Sequence, residues 1–109
     1  MISEQDKTMW IDALRSGHFE QIKETYTNMA GGYCAVGVLG AVVAERDGLE
    51  FFEALEDYTM EYGRRRISYK TLNEIFKLND ADFEFAVIAD FIELNVPVFA
   101  EQKVPALVA

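Results

Sequence analysis

Apolar residues recur along most of this chain at spacings of three and four, the period of a helix with one buried face. Ser3 followed by Asp6 has the spacing of a capping box, and Trp10, Ala13 and Leu14 then share one face while Asp12 and Arg15 point elsewhere. The pattern predicts a helix over residues 4–16, ended by Gly17 as its C-terminal cap. A weaker helix or turn is predicted over residues 18–26, where Phe19, Ile22 and Tyr26 fall at helical spacing, followed by a loop over residues 27–32.

The pattern changes at residues 33–46, which are apolar around the whole circumference until Glu45. A helix of that kind belongs at the centre of a fold. Cys34, Gly37, Ala41 and Ala44 would form a stripe of small residues along it, opposite bulkier Val36, Leu39 and Val43. Interior glycines cost a helix roughly 1 kcal/mol each relative to alanine, so close packing on the small stripe is expected to compensate. The β-branched valines also permit a strand over residues 33–43.

Beyond Gly48, Phe51, Leu55, Tyr58 and Tyr62 predict a helix over residues 49–62, with Glu50, Glu53, Asp57 and Glu61 as an acidic stripe on its other side. Gly63 should end it, placing Arg64, Arg65 and Arg66 where they meet the helix dipole and Glu61. Ser68 caps a short helix reaching about residue 78, with Leu72, Ile75 and Phe76 buried. Residues 83–94 return to helix, burying Phe85, Ile88, Ala89 and Ile92, until Asn95 and Pro97 stop it. The apolar tail over residues 96–109 is expected to lie extended on the core.

Together these elements predict a mainly α fold: a compact, single-domain helical bundle spanning residues 1–109, with a short β element as the permitted departure. Its central apolar helix is expected to be enclosed by the Trp10, Phe51 and Phe85 helices.

Length and composition agree with one domain, since 109 residues that are 50% hydrophobic suffice for a single core. Nineteen acidic residues against ten basic ones give a formal net charge of -9, which repels nucleic-acid phosphates and anionic membranes and favours basic partners. A single cysteine excludes an internal disulfide, and the first residues mix charge rather than forming a signal sequence. The uncharged stretch over residues 25–44 is interrupted by glycine, threonine and asparagine, so no membrane span is expected and a cytoplasmic location is.

Cys34 is the one residue resembling a catalytic nucleophile, because a thiol at a helix N-terminus ionises more readily. Its base would have to be His18, the sole histidine, which no motif surrounds, so a structural cysteine is the better reading. One cysteine and one histidine do not make a metal site, and no acidic spacing matches a calcium loop. The glycines fit neither nucleotide-binding fingerprint, so no cofactor is expected. Phe85 through Asp90 resembles the first helix of a helix-turn-helix unit. The following residues 95–103 contain an early proline and one basic residue, which is poor material for a recognition helix. The three adjacent arginines are better read as local charge neutralisers than as a phosphate site.

Three segments stand together in order: Trp10-Ile11-Asp12-Ala13-Leu14-Arg15-Ser16-Gly17, Gly32-Tyr33-Cys34-Ala35-Val36-Gly37-Val38-Leu39, and Leu78-Asn79-Asp80 with Phe85, Ile88-Ala89-Asp90 and Ile92-Glu93. In these the chain resembles a group of small uncharacterised bacteriophage proteins. Residues 45–67 have no counterpart in that pattern. Ala35 stands where the pattern often has a second cysteine, which argues against vicinal-thiol chemistry, and Glu84 replaces a serine cap, leaving Asp82 to supply it. The resemblance implies a phage or prophage source and action inside a bacterial cell, and it brings no catalytic residue.

The function expected from these features is non-catalytic. The chain is read as a small acidic phage protein that binds and modulates or inhibits a host protein with a basic surface, through Glu50, Glu53, Asp57 and Glu61, in its sharper form by nucleic-acid mimicry. No direct nucleic-acid contact is expected, while the apolar tail with Phe99 leaves self-association open. The alternatives are a cysteine-dependent enzyme using Cys34 and a degenerate helix-turn-helix DNA-binding protein.

Overall fold

The computed structural model describes residues 1–98. Helix α1 (Glu4–Ser16) begins and ends where the pattern places it: Ser3 Oγ accepts the Asp6 N–H at 3.1 Å, and Gly17 closes it at φ 78°. The second half of the capping box does not form. The Asp6 carboxylate is buried and turned toward Tyr58, Arg46 and Arg65 instead of the helix start.

Of the weaker helix or turn expected next, no helix forms; the segment holds a short strand and bends. Strand β1 (Glu20–Gln21) pairs in parallel with β2 (Gly32–Tyr33), Glu20 opposite Gly32 and Gln21 opposite Tyr33. The three residues that suggested helical spacing find separate aromatic or loop environments: Phe19 packs edge-on to Tyr33 at 5.6 Å and Tyr26 on Phe76 at 5.7 Å. The connection is turned by Asn28, whose Oδ1 accepts the N–H groups of Ala30 and Gly32, both at 2.9 Å.

Helix α2 (Ala35–Asp47) starts after Cys34, which is its N-cap, so of the strand alternative over residues 33–43 only Tyr33 lies in a strand, β2. Ala35, Val36, Gly37, Val38, Leu39, Gly40 and Val43 are buried, as an all-round apolar helix requires. At Gly37, on the predicted small-residue stripe, the close approach is made by a loop and not by a helix. Gly37 lies under the Tyr26 carbonyl, where an added Cβ would stand 2.0 Å from the oxygen. The helix approach falls at Gly40, where a Cβ would meet Leu55 Cβ at 3.1 Å.

Helix α3 (Phe51–Thr59) is shorter than predicted and stops before Glu61, Tyr62 and Gly63. The chain doubles back onto its C-terminal end, where Ile67 N–H donates to the Tyr58 carbonyl at 2.8 Å and Arg65 N–H to that of Asp57 at 3.1 Å. Carbonyls satisfied by the returning chain need no further helical turn, and Tyr62 is left 70% exposed. Helix α4 (Tyr69–Asp80) is capped by Ser68 as expected, its Oγ accepting the Thr71 N–H at 3.2 Å. Helix α5 (Phe85–Asn95) is not capped by Asp82, which sits at φ 68° outside the helix, but by Gln21, whose Oε1 accepts the Phe85 N–H at 3.1 Å.

The result is mainly helical and built around one hydrophobic cluster. Helix α2 packs on α1, α3 and α4, whereas α5 packs chiefly on α1 and α4, so α4 holds the place at α2 expected for the Phe85 helix. Val96 is buried and Val98 bridges to Ile2. The rest of the expected tail contact, Phe99 included, and most of the segment examined as a recognition helix lie outside the described residues. Among the described residues no helix is long and apolar enough to cross a membrane.

Candidate functional site

The four acidic residues of the expected stripe divide into two kinds. Glu50 occupies the N-cap position of α3 without making a side-chain cap, and Glu53 follows in the first turn, both exposed. Asp57 is turned inward to organise the returning chain: its Oδ1 accepts the Arg64 N–H at 2.8 Å, and Oδ2 lies 3.7 Å from Arg65 Nε. Glu61 is exposed in the turn beyond the helix end. The early stop of α3 therefore breaks the stripe. Arg65 pairs with Asp57 and Asp6, and the Arg64 N–H with Asp57, rather than with Glu61.

A cleft of about 330 Å³ lies over α3 and the end of α2, lined by Val43, Ala54, Glu53, Asp57, Tyr62 and Arg65 among others. Large apolar side chains stand out around the same helix, with Phe52 51%, Met60 43% and Tyr62 70% exposed. Glu50, Glu53 and Glu61 form no ion pair among the described residues. Much of the positive charge, by contrast, is engaged internally. Arg15 binds Asp90 and Glu93, Lys23 binds Asp82, and Arg46 and Arg65 converge on Asp6. Lys7 donates to the carbonyls of Glu93 and Val96.

Away from the surface, buried Asp6 ties α1 to α2 and α3. Its carboxylate accepts from Arg46, from the Tyr58 hydroxyl and from Arg65 Nη1 at 3.3 Å, and it is 2% exposed. Burial alone would raise its pKa, but the hydrogen bonds from Arg46 and Tyr58 and the two guanidinium charges hold it below the usual carboxylate value. Burial and the neighbouring Asp6 push the Tyr58 hydroxyl up.

Cys34 is 4% exposed, and its sulfur accepts the Gly37 N–H at 3.4 Å, serving as the cap of α2. Burial pushes its thiol up, with the nearby charge of Asp80 adding to the effect and the hydrogen bonds at the helix start only opposing it. His18 stands exposed just beyond the Gly17 cap. Among the described residues no group of three or more His, Cys, Asp or Glu side chains is placed to hold a metal ion. A cavity of about 480 Å³ opens beside the thiol, lined by Glu24, Thr25, Tyr26, Cys34, Phe76 and Asp80.

Sequence reasoning missed two polar residues on which this arrangement depends. Asn79 is 1% exposed: its Oδ1 accepts the Ala35 N–H at 3.0 Å and Gln21 Nε2 at 3.1 Å, while its Nδ2 donates to the Ile22 carbonyl at 2.7 Å. Asp6 is the other. Each had a signal in the spacing, because Asn79 falls in register with Leu72 and Ile75, and Asp6 with Trp10, on the apolar face of its helix.

The chain belongs to the family described as Domain of unknown function (DUF8296), whose model matches residues 2–74. The match runs through residues 45–67, for which the phage-protein motifs offered no counterpart, and stops before Leu78-Asn79-Asp80. No curated protein and no solved structure matches the chain.

Proposed function

We propose that this member of the DUF8296 family is a non-catalytic binding protein that docks on, and modulates or inhibits, a partner protein with a basic surface. The observation that carries this reading is the surface of α3. Glu50, Glu53 and Glu61 stand exposed on and just beyond α3, as do Phe52, Met60 and Tyr62, and Glu53 and Tyr62 line a cleft there together with Val43, Ala54, Arg64 and Arg65. Solvation alone calls for carboxylates; a protein interface calls for carboxylates around protruding aromatic and methionine side chains. The net charge of -9 steers association toward basic partners. The likeness of the Trp10 and Cys34 segments to bacteriophage proteins supports a bacterial host protein as that partner and the host cytoplasm as the place of action. In the sharper form of the reading, the carboxylates occupy a groove that the partner uses for nucleic-acid phosphates.

Capture from bacterial lysate at low and high salt, with the wild type beside a Glu50→Gln/Glu53→Gln/Glu61→Gln variant, tests the proposal. A specific partner should be retained at low salt, weaken as salt screens the contact, and be lost from the variant. Equal capture of that partner by wild type and variant would overturn the assignment of the surface. Competition by duplex DNA for the captured partner distinguishes mimicry from simple docking.

A further inference from the structure

The cavity beside Cys34 is built from the loop after β1, the cap of α2 and the last turns of α4, and it takes no residue from α3. We propose that it binds an aliphatic ammonium group. This goes beyond the α3 surface and does not depend on it.

Three features converge on that ligand class. Tyr26 and Phe76 stand in the lining as a tilted pair with ring centroids 5.7 Å apart, and aromatic rings attract cations while packing against alkyl chains. Two carboxylates, Glu24 and Asp80, are the charged groups of the lining, and among the described residues no basic one joins them there. Lys23, the cation adjacent in sequence, is held by Asp82 at 2.5 Å. The remaining lining residues, Thr25 and Cys34, carry no formal charge while the thiol stays protonated, and burial favours that form.

The carboxylates are also positioned. Asp80 Oδ1 accepts the Glu24 N–H at 3.1 Å, fixing a loop residue whose φ of 67° is one that L side chains rarely adopt. That bond uses one Asp80 oxygen and leaves the other for a ligand. An anion would meet two like charges here, and a neutral ligand would leave both exposed carboxylates unused, the nearby Lys23 ammonium, which feels both charges, being bonded to Asp82. A primary ammonium with a short alkyl stem satisfies the acids and the rings together. The volume of about 480 Å³ lies within the range of small-molecule sites. Such a group has two sources, a free polyamine or a lysine side chain of another protein.

Titration of the ¹⁵N-labelled protein with n-butylammonium, and with n-butanol as the neutral control, tests the site. Saturable shifts are expected at the Tyr26, Cys34 and Asp80 amides, with n-butanol binding about tenfold more weakly or worse. Asp80→Asn keeps an oxygen for the Glu24 N–H while removing the charge, and Glu24→Gln removes the other charge. Each should weaken n-butylammonium by about tenfold with the rest of the spectrum preserved. Equal affinity for n-butanol, unchanged affinity in both variants, or shifts confined to other residues would overturn the proposal. Putrescine and N-acetyl-lysine-N-methylamide then separate the sources: tighter binding of either supports the site and names its ligand, and failure of both overturns it.

Discussion

The hydroxyl of Tyr58 on α3 donates a hydrogen bond to the carboxylate of Asp6 on α1, 52 residues earlier, and the two side chains are 0% and 2% exposed. Removing one partner of such a pair leaves the other buried and unmatched. Asp6→Ala is therefore expected to cost about 2–4 kcal/mol in chemical denaturation, since Tyr58 loses its acceptor and Arg46 keeps only Asp47. Tyr58→Phe should cost less, about 1–2 kcal/mol, because the guanidinium groups still satisfy the carboxylate. Arg65→Ala, at a side chain 43% exposed, should fall below about 1 kcal/mol. A reversed order would mean that the three helices are not joined through Asp6.

The same carboxylate couples the stability of the fold to acid pH. Its pKa lies below the ordinary 3.8 in the folded chain, so between the folded value and 3.8 the unfolded chain binds more protons. Its stabilisation is complete above 3.8 and is lost as pH falls through the folded value. Asp47, which shares Arg46 but is more exposed, adds a weaker, screened contribution of the same sign. Thermal melts across acid pH should show a steep decline in the wild type and a shallower one in Asp6→Asn. Parallel curves would remove Asp6 as the main acid-sensitive group.

Much of the helical content was legible because α1, α2 and α4 carry their own signals: Ser3, Gly17, Gly48 and Ser68 act at the positions their residue types suggest. The errors arose where distant chain supplied what local sequence lacked. Phe19, Ile22 and Tyr26 have helical spacing, yet Ile22 N–H donates to the Tyr33 carbonyl and the Ile22 carbonyl is taken by Asn79. The end of α3 was misplaced because its terminal carbonyls are met by residues 65 and 67, contacts that periodicity does not encode. Of the acidic surface, Glu50, Glu53 and Glu61 were readable as exposed, whereas the inward turn of Asp57 depends on that same returning chain. The cavity beside Cys34 was not legible at all, since it joins residues 24–26 to residues 76 and 80 across the fold.

Gly37 and Gly40 make a matched test of close packing on α2. A methyl at position 37 would stand 2.0 Å from the Tyr26 carbonyl oxygen, a backbone atom of a segment that also accepts the Cys34 N–H at 3.2 Å. At position 40 the nearest atoms are side-chain carbons of Leu55 and Phe51 at 3.1 Å, which can yield slightly. Gly37→Ala should destabilise by about 3 kcal/mol, and Gly40→Ala by about 1 kcal/mol or less once the gain in helix propensity is included. Denaturant midpoints measure both, and equal effects would show that the Tyr26 segment moves aside freely.

Asn79 gives the last test, because one side chain joins three elements that otherwise share no covalent neighbour. Its oxygen caps the start of α2 at the Ala35 N–H, and its amide nitrogen holds the Ile22 carbonyl beyond β1. Gln21 leans on the same oxygen while also reaching the Phe83 carbonyl and capping α5 through Phe85. Asn79→Ala leaves a buried amide and a carbonyl without partners, at an expected cost of about 2–4 kcal/mol. Asn79→Asp keeps the acceptor for Ala35 but sets a carboxylate oxygen against the Ile22 carbonyl, so it should not restore stability. Gln21→Ala leaves the Asn79 bonds to Ala35 and Ile22 in place and should cost less. Amide exchange separates the cases: protection at Ala35 should fall sharply in Asn79→Ala and persist in Gln21→Ala. Persistent protection in Asn79→Ala would place the anchoring of α2 elsewhere, most directly in the bond from Trp10 Nε1 to the Ala35 carbonyl at 2.8 Å.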